Sequence, residues 1–213
     1  PRIDYTDGEG VLLLEPASTN LYLNSAILVT QNVTTTATPY TVSFYGTGTV
    51  TFSGTHTGSL VGTGANDRVS LTFTPTAGTL TSTVTGTVTN AQCENLGYMT
   101  SLIPTEGSTV TRAAETCVGA GDVGTFSSVN AEGVLFVEMA ALSDALSERV
   151  LSISDGTTDN RLGLYYSSTT NQIVMDVYVG GALQDTLTYT LTDETLQSKI
   201  LAKIKASDYA LWV

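Results

Sequence analysis

Between residues 40 and 88 apolar and hydroxyl side chains alternate in short runs. Glycine or proline interrupts the alternation roughly every eight to twelve residues. Val50 and Phe52 fall on one side of their run, and Thr49, Thr51 and Ser53 on the other. Val69, Leu71 and Phe73 alternate with Ser70, Thr72 and Thr74. Leu80, Val84 and Val88 alternate with Thr81, Thr83, Thr85 and Thr87, which reads as a single strand. Residues two apart share a face only in an extended chain, so this period predicts half-buried strands with a hydroxyl outer face and not amphipathic helices. The strand Tyr40–Tyr45 belongs to the same series, and turns are expected at Gly46–Gly48, Gly54–Gly58 and Pro75–Gly78. Closely spaced short strands indicate an all-β antiparallel sandwich. Its expected core is Val50, Phe52, Val69, Leu71, Phe73, Leu80, Val84 and Val88.

The flanking sequence follows the same grammar. An acidic glycine turn, Asp7-Gly8-Glu9-Gly10, precedes Val11-Leu12-Leu13-Leu14, and Pro16 stops that run. An unbroken apolar run predicts a strand covered on both faces. Ala26–Val33 is expected to be a strand. Residues 90–105 read as a strand, a turn, a second short strand and a proline stop at Pro104. Near Arg112 the composition changes, and acidic residues and tyrosines return. Strands are then expected at Gly133–Met139, Val150–Ser154, Arg161–Tyr166, Gln172–Val179, Leu183–Thr192, Ser198–Lys205 and Tyr209–Val213, with a weak helical turn at Ala140–Glu148. Asp155–Asn160 and Ser167–Asn171 are turns, and Gly180-Gly181 matches a two-residue hairpin. The expectation is two domains, 1–112 and 113–213. The face formed by Tyr209, Leu211 and Val213 calls for a neighbouring strand, supplied either by sequence after Val213 or by a neighbouring subunit, and the abrupt start at Pro1 leaves room for upstream sequence.

Two sets of residues carry a resemblance. Pro1-Arg2-Ile3-Asp4-Tyr5-Thr6, Leu12-Leu13-Leu14-Glu15-Pro16 and Thr19-Asn20-Leu21 come first. Gln92-Cys93-Glu94, Tyr98-Met99-Thr100-Ser101-Leu102-Ile103-Pro104-Thr105 and Val110-Thr111-Arg112-Ala113-Ala114 follow in order. Together they resemble the opening and closing motifs of jelly-roll, carbohydrate-binding-like modules in phage tail-fibre, tail-spike and other virion-associated proteins. Cys93 departs from that pattern by standing where the family usually has an apolar residue. Further on, Ser152–Leu162 and Asp208-Tyr209-Ala210-Leu211-Trp212-Val213 resemble a laminin-G-like, concanavalin A-like sandwich. Such domains continue into an Asn-Gly hairpin and more strands, so the resemblance implies an incomplete second sandwich. It implies two jelly-roll-like sandwiches displayed on the virion surface as a phage fibre, spike or capsid-decorating adhesin. The implied partners are host-surface polysaccharide, other virion proteins and further copies of the chain, a trimer being one such form. Two rivals stand beside it: a purely structural decoration or oligomerisation module, and a polysaccharide-degrading domain.

The chemistry legible in the residues is that of binding and not of catalysis. Charged residues make up 13% of the chain and the net charge is −12. Phosphate backbones and anionic membranes need clustered basic residues, and the eight Lys and Arg are scattered, which argues against nucleic acid. No apolar run reaches membrane-spanning length, so membrane insertion is not expected. The one histidine, His56, sits in a Thr-Gly loop and announces no triad. No Walker, dinucleotide or zinc motif is present, and no enzyme is expected.

Sugar recognition needs aromatic faces beside polar groups. Tyr45, Tyr98 and Tyr178 are the aromatic candidates from a set that also holds Tyr40, Tyr165, Tyr166 and Trp212. Tyr45 and Phe44 point to opposite faces, so one is outward, and Tyr178 shares the polar phase of its strand with Asp176 and Gln172. Gln92 and Glu94 share a strand face, either as an edge that grips sugar hydroxyls or as an ordinary surface strand. Glu132 and Glu138 flank their strand and read as solvated. Asp155, Asp159 and Asn160 form an oxygen-rich turn of the kind that holds calcium in some sandwich lectins, although an ion-free Asp-Gly turn is the commoner case. Cys93 and Cys117 are either a disulfide or, for Cys93, a small buried hydrophobe.

Overall fold

A computed structural model describes residues 2–5, 8, 10–119, 132–144 and 149–213. Asp7 and Glu9 of the opening turn, and residues 145–148 of the expected helical turn, lie outside the described residues. Every regular element is a strand and every pairing is antiparallel, so the all-β expectation holds. The chain forms two compact units, Pro1–Val118 and Gly119–Val213.

The first unit contains β1 (Arg2–Asp4), β2 (Val11–Leu13), β3 (Ser18–Asn20), β4 (Gln31–Thr35), β5 (Tyr40–Gly46), β6 (Thr49–Gly54), β7 (Gly58–Val61), β8 (Gly64–Phe73), β9 (Gly78–Thr85), β10 (Val88–Glu94) and β11 (Val110–Arg112). Two sheets dominate, ordered β10-β5-β8 and β4-β9-β6-β7. From β4 to β10 the chain changes sheet at every step except the β6–β7 hairpin. Val42, Phe44, Phe73 and Val88 from one sheet meet Val33, Val50, Phe52 and Leu80 from the other in one core. Val69, Leu71 and Val84 pack at its margin and are only partly buried. β3 lies beside β10, Leu21 N donating to Cys93 O (2.9 Å), and pairs with β11 on its other side.

Three local expectations are corrected. The run 80–88 is not one strand. Gly86, at φ +73°, turns the chain so that β9 and β10 enter different sheets. That turn crosses the Gly46–Gly48 turn, Gly48 N donating to Thr87 O at 2.8 Å, and a Cβ on Gly46 would lie 2.2 Å from the same oxygen. Glycine is therefore required at Gly46 for close approach as well as for its φ of +120°. Second, β2 is not covered on both faces. Among the described residues it pairs only with β1, and Val11 and Leu12 are exposed. Third, β5 has no hydroxyl outer face, because Thr41 and Ser43 are as buried as Val42 and Phe44. The expected hydroxyl face does survive on the other sheet, where Thr51, Ser53 and Thr83 are exposed.

The second unit contains β12 (Gly133–Met139), β13 (Arg149–Ser154), β14 (Arg161–Tyr166), β15 (Gln172–Val179), β16 (Ala182–Thr190), β17 (Ser198–Ile204) and β18 (Ala210–Trp212). One sheet is the meander β13-β14-β15-β16, and the other is β12-β17-β18. Leu162, Leu164, Tyr166, Ile173, Met175 and Val177 of the first pack against Ile200 and Ala202 of the second. Gly180 and Gly181 (φ +58° and +76°) make the tight β15–β16 hairpin, which needs left-handed backbone at both positions. Leu211 of β18 and its flanking residues Tyr209 and Val213 pack onto this core, and β18 pairs with β17 alone among the described residues.

Because Phe44 is fully buried between the two sheets of the first unit, Phe44→Ala should lower stability by about 3–5 kcal/mol. Urea unfolding of the wild-type and variant chains measures this.

Candidate functional site

The motif residues that stood out in the sequence assemble around residues 95–105. This segment follows β10 and passes over β5, touching the buried Thr41 directly at Leu96 O and reaching the buried Ser43 through Arg68, which donates to both Ser43 Oγ and Thr100 O. The expected second short strand does not form, because no neighbouring strand pairs with it; side chains take that role. Thr100 N donates to Glu94 Oε2 (2.9 Å), Ser101 N to Glu15 Oε1 (2.7 Å), Ile103 N to Gln92 Oε1 (2.6 Å) and Thr105 N to Ser25 Oγ (2.9 Å). In the opposite sense, Thr41 Oγ1 donates to Leu96 O (2.9 Å), Arg68 Nη1 to Thr100 O (2.7 Å) and Asn20 Nδ2 to Ile103 O (2.9 Å). Glu94 also accepts from Ser18 Oγ (2.6 Å) and Thr100 Oγ1 (2.5 Å). Gln92 and Glu94 are 0% exposed, so the expectation of a surface strand or sugar-gripping edge is corrected: their polar ends are consumed inside.

Glu15 is the second fixed point. Its buried carboxylate holds Ser101 N and pairs with Arg112 Nη1 at 2.8 Å. Its backbone oxygen accepts from Glu115 N (2.8 Å), and its own N–H donates to Glu115 Oε2 (3.1 Å). The segments entering and leaving the unit are thus tied side by side. Arg112 Nε and Nη2 and Arg68 Nε have no hydrogen-bond partner among the described residues; Arg112 is held by its ion pair with Glu15, and Arg68 by its bonds to Thr100 O and Ser43 Oγ. Burial pulls the Arg68 pKa down, opposed by Glu94, Tyr45 and Glu15.

Substituting Glu94→Gln keeps the shape but turns an amide donor toward donors. It should cost about 1.5–3 kcal/mol and open residues 95–105 to limited proteolysis. Unfolding midpoints and cleavage mapping measure the two effects.

Both cysteines are free, so no disulfide joins them. Cys93 is a buried hydrophobe of the core, and burial, followed by the Glu94 charge, pushes its thiol up to about 12. Cys117 is exposed. Iodoacetamide at pH 8 should therefore label one thiol of the native chain and both in urea, counted by intact mass.

The remaining sequence candidates scatter. Tyr45 is half-buried on the side of β5 opposite Phe44, close enough to Arg68 to interact electrostatically. Tyr98 is half-buried in the 95–105 segment. His56 stacks on Phe73 with ring centroids 4.0 Å apart. The Asp155–Asn160 turn closes on itself. Asp155 accepts from Thr157 N, Thr157 Oγ1 and Asn160 Nδ2, and the Thr157 and Asn160 side chains hold its carboxyl below the usual range. Asn160 Oδ1 accepts from Gly180 N, and Asp159 O accepts from Gly181 N. Among the described residues no group of three or more His, Cys, Asp or Glu is placed to hold a metal ion.

Tyr178 lies, as its phase required, on the outer face of the four-stranded sheet. The Arg161 guanidinium sits over its ring at 4.6 Å. Beside it Tyr165 Oη donates to Asp176 Oδ2 and Thr186 Oγ1 to Asp176 Oδ1, both at 2.8 Å. Both oxygens of Asp176 are thus taken by its neighbours on this face.

The other sheet of the second unit carries the most exposed aromatic surface. Phe136 of β12 is directly opposite Leu201 of β17, and Leu201 is directly opposite Trp212 of β18. Directly paired residues share a face. All three face out, at 58%, 40% and 51% exposure. Two strand spacings put the roots of the two aromatic side chains roughly 10 Å apart, with an aliphatic side chain between them. The next rows are Val134, Lys203 and Ala210 on one side and Glu138 with Lys199 on the other. Lys203 pairs with Asp208 at 2.5 Å and Lys205 with Glu132 at 3.1 Å, so charge is largely cancelled around the row. An apolar stripe with a polar, charge-balanced rim can take the C–H faces of sugar rings and hydrogen-bond their edges. Trp212 was a candidate by residue type. Phe136 was missed because the run Val134-Leu135-Phe136-Val137 has no alternation from which a phase can be read.

The chain matches no protein-family model, no curated protein and no solved structure.

Proposed function

We propose that this chain is a glycan-binding module of a virion surface and that it takes an extended polysaccharide across the Phe136–Leu201–Trp212 row. The row is the observation that carries the reading: two exposed rings and an aliphatic floor in one line across three strands. Stacking of this kind asks little of the ligand beyond exposed C–H faces, which suits a repetitive polymer. A shallow site of a few rings binds weakly, around millimolar, and gains useful strength when several copies act together. An oligomer or a particle carrying many copies supplies them.

The reading of the first unit as a jelly roll rests on its winding. β3, β10, β5 and β8 lie over β4, β9, β6 and β7, the chain switching sheets at nearly every turn, as two Greek keys do. The residues that resemble phage modules are the ones that hold residues 95–105 in place. The resemblance therefore supports the scaffold and its virion setting and leaves the ligand to the surfaces. We read no hydrolysis into the first unit, since Glu15 and Glu94 are occupied by structural hydrogen bonds. The same exposed row also suits contact with another virion protein, which is the structural alternative.

Trp212 is the single tryptophan, so its fluorescence reports directly on the row. Titration with host-surface polysaccharides should shift that emission. Phe136→Ala should weaken binding at least about tenfold, as should Trp212→Ala measured by affinity electrophoresis. Tyr178→Ala should not, and none of the three should move the unfolding midpoint by more than a small amount. If the Phe136→Ala/Trp212→Ala double variant is retarded by the same polysaccharides as wild type, the reading fails. If it instead loses only its incorporation into particles, the structural alternative stands.

A further inference from the structure

The first unit holds a cleft of about 340 Å³ between the β3–β11 ribbon and the residues just after β10. Its size is at the lower end for ligand cavities, room for one small ring. Leu21 and Leu96 contribute apolar lining, and none of the residues lining it carries a formal charge. What separates it from an ordinary surface hollow is that its polar groups are already fixed by partners. Asn95 Oδ1 accepts from Thr38 Oγ1 (2.8 Å), which sets the amide and leaves its Nδ2 as a donor. Ser18 Oγ spends its proton on Glu94 Oε1 (2.6 Å), so toward a ligand it can only accept. Thr19 and Thr111 share one hydroxyl hydrogen bond at 2.7 Å, and Tyr40 Oη accepts from Thr36 N at 3.2 Å. Ordering costs that a ligand would otherwise impose on the protein are thus already met.

We propose that this cleft is a second, independent sugar subsite that takes a single neutral pyranose ring, such as a chain end or side branch. The inference deepens the glycan-binding reading and rests on it for the choice of a sugar among neutral polyhydroxy ligands. An anion or cation would find no counter-charge there. A wholly apolar ligand would strip water from Ser18, Asn95 and the Thr19–Thr111 pair without replacing it. A pyranose offers an apolar face to the two leucines and alternating donors and acceptors to the fixed polar groups.

The test uses the full chain, labelled with ¹⁵N, and D-glucose, D-galactose, D-mannose and N-acetyl-D-glucosamine as separate probes, with glycerol as the control. At least one sugar should shift the backbone amides of Thr19, Asn95 and Leu96 saturably in the millimolar range, and glycerol should not. Asn95→Ala should weaken that binding about fivefold or more, since it removes the oriented donor. Ala17→Trp, on the exposed rim, should abolish it by filling the opening. Trp212→Ala should leave it unchanged. The proposal is overturned if no probe shifts these amides, if glycerol does so equally, or if the shifts survive Ala17→Trp. Because polysaccharide capture through Trp212 is measured separately, either site can fail while the other stands.

Discussion

A peptide segment that crosses a sheet without joining it leaves donors and acceptors that water cannot reach. Residues 95–105 are such a segment, and the first unit is arranged around satisfying them. Glu94 and Gln92 of β10, Glu15 and Asn20 reach from three places in the chain to do what a neighbouring strand would otherwise do. An unsatisfied buried amide costs about 1–3 kcal/mol, and several occur within six residues of one another here. The side chains that prevent this are therefore specified almost atom by atom. Glu94 cannot become Gln, nor Asn20 become Asp, without presenting a donor to a donor or an acceptor to an acceptor. Asn20 shows this most fully. Its amide donates to Ala91 O and Ile103 O while its oxygen accepts from Tyr22 N and Cys93 N.

This interior requirement separates holding the fold from meeting a ligand. Polar residues that look reactive in sequence, such as a Gln-x-Glu pair or a lone Glu before Pro16, are interior fasteners. The surfaces proposed for recognition are built from residues with little chemistry of their own: hydroxyls, one amide, two leucines and a row of exposed apolar side chains. That division suits a protein with few charged side chains. Threonine and serine lose little side-chain entropy when a neutral ligand orders them, whereas a lysine or glutamate would lose more and must also be desolvated.

How much of this was legible follows from which interactions have a short-range signature. β1, β3, β7 and β11 were not read and β4 was placed several residues early, whereas β5, β6, β9 and the latter half of β8, the strands of the second unit and the core residues Val50, Phe52 and Leu80 could be read because period-two alternation and glycine turns are local. The break at Gly86 could not, since Thr85-Gly86-Thr87 continues the alternation and only the change of sheet reveals the turn. Burial of Thr41 and Ser43 was hidden for another reason. It is imposed by a segment some 55 residues further on, as the Thr41–Leu96 contact records. Gln92 and Glu94 were found by their spacing but assigned to the wrong side of the surface, because a strand's phase says that two residues share a face and not what covers it. Tyr178 was placed correctly by phase. Trp212 is one of the aromatics the residue types offered, and Phe136 lay in a run without phase.

Exposing Phe136, Leu201 and Trp212 on a sheet that ends in the short strand β18 invites edge-to-edge association. The arrangement of charge limits that risk while keeping the row usable. All three lysines of the chain lie on β17 or just beyond it. Lys199 and Lys203 flank Leu201 on the outer face, each with a carboxylate opposite or close by: Glu138 across the ladder from Lys199, and Asp208 bonded to Lys203. A second strand laid beside β18 would have to crowd and partly desolvate the Lys203–Asp208 pair, and burying an ion pair recovers little of its desolvation cost. A sugar polymer lying across the strands need not do so, because it touches the rings through its C–H faces and leaves the ion pairs at the rim in water. The same geometry therefore disfavours a strand-like partner and admits a flat, neutral, polyhydroxylated one. Replacing Lys203 by an apolar residue should shift that balance toward self-association, raising the sedimentation coefficient at high protein concentration while leaving the row's residues in place.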